Sequence, residues 1–384
     1  MAQEFFKPST QYNSGRVNGV IIAEAAIGTA LTIGLNYLWY KKFPRSKFHM
    51  FNDNNEWLSM DKVGHATTAY NVAAIQTDLL RWGGVRPGVA ALAGTLTALG
   101  FLTMVEIMDG HSVKWGFSKG DMLANLAGCA LFGSQQLMWG QQRISLKYSY
   151  HGTIFPHYAP GELGSNLPKR MLKDYNGQTY WLSVNIGSFL PASSGFPRWL
   201  NLAAGYGAEG MIGGVKNPTQ IKGQPIPEFR RYRQFYFTFD TDLYRIDGLS
   251  PLSATLLKLN RTFKMPAPAL EANRHSEWVR VSILVACVSL AAMPGDDLLF
   301  RGLSHSTIGA VWFHGRVRDG IGWVTDAMAT KQWSQRDTPW RSPAEQARWR
   351  SHGCMKIGFR NRCVHYAEQN HISLVGDGGT LKRE

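Results

Sequence analysis

Charge is scarce in this chain of 384 residues, since Asp, Glu, Lys and Arg together make up only 18%. Soluble domains carry about a quarter, so the deficit admits a membrane-embedded or membrane-facing part. A mean hydropathy of −0.20 argues against a wholly polytopic membrane protein. Acidic groups are the scarcer sign: 27 Asp and Glu stand against 41 Lys and Arg, a formal charge of +14. That excess favours anionic surfaces such as phospholipid headgroups, lipid A-type glycolipids or nucleic acid. Neither zinc-finger spacing nor an aromatic-rich RNA signature accompanies it, which sets nucleic acid aside and leaves an envelope surface.

Cysteine is nearly missing as well. Of the four, only Cys129 falls within the first 280 residues; Cys287, Cys354 and Cys363 follow. This excludes a disulfide framework for the main body. Cys354 and Cys363, with His352 and His365 nearby, match no regular zinc pattern. The opening MAQEFFKPSTQYNSGR lacks the basic-then-apolar layout of a secretory signal and has no cysteine for a lipid anchor. Ala-Gln after the initiating Met resembles what remains once a signal has been removed.

What is present begins with helices. Residues 17–40, VNGVIIAEAAIGTALTIGLNYLWY, form an apolar segment long enough to span a bilayer. Tyr37, Trp39 and Tyr40, followed by Lys41, Lys42, Arg45 and Lys47, give it an interfacial aromatic belt with a basic flank. FHMFNDNNEWLSM reads as a polar turn region. A second helix is expected from about Ser59 to Trp82, where Gly83, Gly84 and Pro87 break it. A third, roughly 88–108, opens with the uncharged run Gly88 to Val105, and Asp109-Gly110 stops it. A fourth covers about 119–139.

After residue 145 the pattern turns to alternation. In RQFYFTFDTDL, Phe235, Phe237 and Phe239 share one face, while Gln234, Tyr236, Thr238 and Asp240 share the other. LKYSYH, TYWLSVNIGSFL and WLNLAAGYGAEGM read as further strands. About five strands are too few for a closed single-chain membrane barrel, which needs at least about eight. They are expected to pack on the helices, or to form a small sheet or incomplete barrel. From about residue 276 to 384 the chain is rich in Trp, Arg, His and Gly, with no lasting period. A shifted reading frame, a fused extension or disorder would produce such a tail.

The chemistry concentrates in three polar pairs at helical spacing: Asp61 and His65, Glu106 and Asp109, Asp121 and Asn125. Residues three or four apart share a helix face, so each pair can address a single neighbour. Inside apolar segments such groups are costly without partners. A converging set, with Lys62 beside it to contact a phosphate, could bind a divalent cation through carboxylate and imidazole atoms. It could instead supply acid–base groups for a lipid or glycolipid headgroup, with His65, Glu106 and Asp121 as the candidates. A purely structural network is the third reading. Ser118 and Asp121 have capping-box spacing, Asp61 suits a first turn, and Asp109-Gly110 suits a turn. His65 could hydrogen-bond to Asp61 or Asp121 and fix helix packing, whereas Glu106 lies within an apolar run with no capping role.

Other motifs carry less. GYGAEG lies in a strand-like context without a following helix, ASSGF is a loop, and Arg230, Arg231 and Arg233 read as the solvated flank of a strand.

DKVGH, then E-x-x-D, then G-x-S-x-x-D-x-x-x-N-x-x-G resembles the helical motifs of VanZ-like membrane proteins. FNDNNEWLSMDKVGH, VEIMDG, GFSKGDMLANLAG, DYNGQTYWLS and RYRQFYFTFDTDL more closely resemble a Bacteroidota family of YfiM-like predicted periplasmic lipoproteins. That resemblance covers roughly residues 15–275. It implies a place in the cell envelope, on the outer-membrane or periplasmic side, and no established activity. Family members end soon after the segment matching FKMPAPALEAN, whereas this chain runs on for about a hundred residues. The expected architecture is α+β: an N-terminal tail over 1–16, a four-helix membrane-type bundle over 17–142, and an antiparallel β-meander or partial barrel over 143–275. The expected function is a membrane-associated envelope component that is structural or interacting, with membrane lipids, anionic glycolipids or envelope proteins as partners. The alternative is a lipid-modifying enzyme, metal-dependent or not, using the interhelical cluster.

Overall fold

In a computed structural model, residues 7–273 are described in full, and beyond them only the backbone of short strands. Four long helices open the fold: α1 Ser14–Leu38, α2 Met60–Trp82, α3 Pro87–Gly110 and α4 Lys119–Trp139. Their ends follow from local chemistry. Asn13 caps α1 by accepting from the Arg16 N–H, Pro87 occupies the first turn of α3, and the Ser118 hydroxyl accepts from Asp121 N–H at 3.1 Å to start α4. Gly140, with φ 64°, closes α4 in the left-handed conformation.

The start of α2 is different. Trp57, Leu58 and Ser59 all have positive φ (47°, 52° and 66°), a conformation costing about 1–2 kcal/mol for each non-glycine residue. Contacts from the sheet side hold it. Trp57 N–H donates to Gly214 C=O at 2.8 Å, and Tyr206 Oη donates to Leu58 C=O. The region expected as a polar turn is therefore a strained one, and it sets the direction in which α2 leaves.

Helices α2, α3 and α4 share one core built from Ala69, Tyr70, Ala73, Ala98, Leu102, Cys129 and Phe132. Small residues bring them close. A Cβ on Gly128 would lie 2.1 Å from Ala66 C=O, and one on Gly94 would lie 2.6 Å from Ala73 C=O, so both crossings require glycine. Helix α1 does not complete a four-helix bundle of the expected kind. Its buried side chains are Val17 and Val20, which pack with Leu80 and Ala90. The physical reason is that α1 is apolar nearly all round and has no single face for a partner.

The β region is an antiparallel meander: β3 Ile144–Tyr150, β4 Gln178–Asn185, β5 Leu200–Glu209, β8 Tyr232–Thr241 and β9 Ala267–Asn273. Two minor pairings lie outside it, β1 Met50–Phe51 with β2 Phe117–Ser118, and β6 Gln220–Ile221 with β7 Gln224–Pro225. Short helices α5 Phe155–Tyr158, α6 Pro160–Leu163 and α7 Leu167–Lys173 fill the β3–β4 connection, and α8 Pro251–Leu259 follows β8. The backbones of β10 Arg280–Leu284 and β11 His314–Arg316 extend the sheet beyond β9 to the order β11-β10-β9-β8-β5-β4-β3.

Polarity in this sheet is reversed from the soluble norm. The registers Lys147↔Trp181↔Gly205↔Tyr236 and Ser183↔Ala203↔Thr238↔Ala269 place those residues on one face, and it is the buried one. On it, Lys147 Nζ pairs with Asp240 at 2.6 Å and Asp242 at 2.8 Å, and the Ser183 hydroxyl donates to Asp240 at 2.7 Å. Lys264 sits 4.8 Å from the centre of the Trp181 ring, and burial pulls its pKa down to about 8. Phe235, Phe237, Phe239, Leu182 and Leu270 lie on the opposite face and are exposed. The free edge of β3 meets the helices. Gln135 bonds both N–H and C=O of Ile144 at 2.8 Å, and Asn71 donates to Leu146 C=O at 3.0 Å.

The chain divides into two compact units. The first holds residues up to 304 together with 308–323, and the second holds 305–307 and 324–384. The second contains the antiparallel strands β12 Cys354–Ile357, β13 Arg362–Tyr366 and β14 Ile372–Val375. Apart from strand backbones, the tail expected over 276–384 and its Cys/His group lie outside the described residues.

Replacing Gly128 with Ala should lower stability by about 1–3 kcal/mol, because the added methyl meets backbone rather than a movable side chain. Thermal unfolding of the purified variant checks this; an unchanged melting temperature would mean that the α2–α4 approach is looser than described.

Candidate functional site

The first turns of α2 and α4 and the last turns of α3 meet at one end of the helices. They bring together Asp61, Lys62, His65, Glu106, Asp121 and Asn125, residues spread over three helices. Lys62 lies at the centre. Its ammonium contacts Asp53 at 2.6 Å, Asp121 Oδ1 at 2.8 Å and Asp61 Oδ2 at 3.3 Å. Expected as a free phosphate contact, Lys62 is instead taken up by three carboxylates, because the turn before α2 delivers Asp53 to it.

His65 bonds to neither aspartate. Its Nδ1 lies 3.0 Å from Asn125 Oδ1, and its Nε2 lies 3.9 Å from Asp61 Oδ1 and 4.0 Å from Asp121 Oδ1. Glu106 Oε1 lies 3.7 Å from Nδ1 and has no hydrogen-bond partner, although the residue is buried to 1% exposure. Its other oxygen accepts the Ser118 N–H at 3.2 Å. Asn125 Nδ2 is also buried without a partner. Asp109 stands at the margin: Tyr40 Oη donates to its Oδ1 at 2.8 Å, which ties the end of α1 to the end of α3. Both Asp109 and Gly110 are still helical, so Asp109-Gly110 belongs to the last turn of α3 and is not a separate turn.

Asp53, Ser118 and Tyr175 belong to the same set, and spacing on a single helix could not show it. Ser118 Oγ donates to Asp53 Oδ1 at 2.6 Å, and Tyr175 Oη donates to Asp61 Oδ1 at 2.6 Å. Asp53 and Tyr175 do sit inside the FNDN and DYNGQTYWLS runs, the one sequence signal that could have marked them. The outer residues are reachable, since the Asp61 side chain is 25% exposed and that of His65 17%. Beside Tyr40 lies a cleft of about 120 Å³, lined by Asn36, Arg45, Ile107 and His111.

The electrostatics follow from three carboxyls (Asp53, Asp61, Asp121) around one ammonium, with Glu106 set against His65. Burial and then the charge of Asp61 push Asp121 up to about 7, against the pull of His65 and Lys62. Burial disfavours the charged forms of His65 and Lys62. The surrounding carboxylates, Asp61 first, outweigh that and raise both. Burial also opposes ionisation of Asp53, but hydrogen bonds from Lys62 and Ser118 hold it below its ordinary value. Such an arrangement can hold a cation, pass a proton through His65, or fix three helices to one another.

Arg231 departs from the solvated flank expected of it. Its guanidinium donates to Gly213 C=O at 2.8 Å and also to Gly214 C=O, bracing the loop that in turn holds Trp57.

Residues 49–134 match the model of a family described as predicted periplasmic lipoprotein (DUF2279). The match spans every helical member of the cluster and Asp53, and it agrees with a place in the cell envelope. No curated protein and no solved structure matches the chain.

Replacing Lys62 with Met leaves Asp53, Asp61 and Asp121 facing one another without a counter-ion. The expected loss is about 3 kcal/mol at pH 8. The folded pKa of Asp121 is already raised above its unfolded value, so the unfolded state ionises first and stability falls as pH climbs from about 4 through 7. The variant should therefore regain melting temperature between pH 8 and pH 5. Equal losses at both pH values would show that Lys62 does not balance these carboxylates.

Proposed function

We propose that this protein is a membrane-inserted component of the cell envelope, with a structural or interacting role at the outer-membrane or periplasmic side. The carrying observation is the reversed sheet. Phe235, Phe237 and Phe239 are 54%, 52% and 62% exposed, while Gln234, Thr238 and Asp240 of the same strand are buried. In water this wastes the hydrophobic effect, since burying a Phe side chain is worth about 1.5–3 kcal/mol. Against acyl chains it is the stable orientation, as in transmembrane barrels with an apolar outside and a polar inside.

The helices support the same solvent. Ser14–Lys42 and Pro87–Gly110 are long and apolar enough to cross a bilayer. Ile22, Ile27, Leu92 and Leu96 on them are exposed, as are Leu137 and Met138 of α4. Cation–aromatic pairs mark both helix ends. Arg16 lies over Trp82 and Arg143 over Trp139, while at the other end Lys41 lies over Tyr37 and Lys173 over Trp39. Paired aromatic and basic residues of this kind suit the two headgroup regions. The surplus of Lys and Arg favours anionic lipids or glycolipids there.

A second reading, a lipid- or glycolipid-modifying enzyme, is favoured by one observation: His65 and Asp61 are reachable from outside while Glu106 behind them is buried. Acid–base chemistry needs that combination.

On cell breakage without detergent, the full chain should sediment with membranes and resist an alkaline wash. Recovery in the soluble fraction would sink the membrane reading. For the enzymatic reading, His65→Ala and Glu106→Gln belong in a complementation assay. Lost function at unchanged abundance and melting temperature supports chemistry at the cluster, whereas lost folded protein supports a packing role.

A further inference from the structure

We propose that Asp61, His65 and Asp121 form a site for one divalent transition cation of the zinc or manganese class. An oxygen of each aspartate and a ring nitrogen of His65 all lie within 4.8 Å of one another. The distances from Nε2, 3.9 Å to Asp61 Oδ1 and 4.0 Å to Asp121 Oδ1, are too long for hydrogen bonds. Ligand atoms about 2.1 Å from a shared ion stand roughly 3–3.5 Å apart, so an ion would draw these three inward by less than about 1 Å. A histidine kept only for packing would close one of those gaps with its own N–H.

What lies behind the ring points the same way. Nδ1 faces the Asn125 carbonyl oxygen at 3.0 Å and the buried, unpartnered Glu106 Oε1 at 3.7 Å. The Asn125 acceptor keeps a proton on Nδ1, which leaves Nε2 as the ring nitrogen that faces the two aspartates. Metal-binding histidines are held in this way, with the far nitrogen donating to a carboxylate or carbonyl. Any proton on Nε2 leaves as the ion binds.

Both ligand oxygens already have one neighbour. Tyr175 Oη donates to Asp61 Oδ1 at 2.6 Å and Lys62 Nζ contacts Asp121 Oδ1 at 2.8 Å, so the ion would take a second lone pair of each oxygen, while Lys62 meets Asp61 through Oδ2. Three carboxyls, Asp53, Asp61 and Asp121, share the single ammonium of Lys62, so a dication would add countercharge where acidic groups crowd. Two carboxylates and one imidazole, without thiolate, suit zinc or manganese better than calcium or magnesium, which take oxygen ligands alone. The inference rests on the helical cluster and is independent of membrane insertion.

Chelator-stripped full-length protein in detergent, titrated separately with zinc, manganese, magnesium and calcium, tests it. One equivalent of zinc or manganese should bind with a Kd of about 1 µM or tighter, raising the melting temperature at about 100 µM ion. Asp61→Asn and His65→Gln should each weaken binding by about 100-fold or more. Glu106→Gln should weaken it by about 10- to 100-fold at unchanged stoichiometry. Should His65→Gln fail to fold, Asp61→Asn at the open edge of the cluster carries the comparison, with circular dichroism confirming its fold. The site is refuted if folded wild-type protein binds neither zinc nor manganese. Binding that Asp61→Asn leaves at full strength overturns it equally, by assigning the ion to other residues.

Discussion

The ammonium of Lys62 is where the helical half of this protein is tied together. A lysine held among apolar helices is costly unless opposite charges surround it. Asp53 comes from the turn before α2, Asp61 from its first turn, and Asp121 from the start of α4. Two of these carboxylates are in turn fixed by something else: Asp53 by the Ser118 cap, Asp61 by Tyr175 from the sheet side. Moving one of these elements uncovers charge that the others cannot screen. The strained turn at Trp57, Leu58 and Ser59 fits this picture, since it aims the start of α2 at its partners and is held from the sheet by Tyr206.

His65, and Glu106 buried behind it, are less well satisfied. Lys62 and its aspartates make short contacts throughout, whereas Nε2 of His65 faces two carboxylates without bonding either, and Glu106 keeps one oxygen without a hydrogen bond. A cluster that existed only to join helices would have closed those gaps. The contrast separates the closely paired part, centred on Lys62, from the less satisfied part around His65, where the cation site is proposed.

The sheet solves the opposite problem. Its charged and amide side chains are gathered on the buried face around Lys147, Asp240 and Asp242, and its phenylalanines point outward. Helices α2 and α4 cover the β3 edge by offering Gln135 and Asn71 to its backbone, so on that side the strand presents no open ladder to other chains. The exposed aromatic face and the apolar helices are the two features on which the proposed membrane insertion rests.

Much of this was legible in the sequence. Periodicity and breakers placed all four helices to within about three residues, because caps and glycines act locally. Alternation marked β3, β4, β5 and β8 for the same reason, and helical spacing singled out Asp61, His65, Glu106, Asp121 and Asn125. The short helices between β3 and β4, and α8, carry no period long enough to read. Asp53 and Tyr175 escaped because nothing on their own elements shows what they will touch. Alternation in β8 assigns the phenylalanines to one face but is silent on which face meets protein. Only the tertiary structure decided that, since it depends on what packs against the sheet. By itself, then, the sequence determined the elements and the residues sharing each face, which follow from backbone geometry over a few residues. Packing decided which faces meet, that α1 stands apart from the three-helix core, and that Lys62 is enclosed by carboxylates while His65 is left facing two of them, because those are distances between segments far apart in the chain.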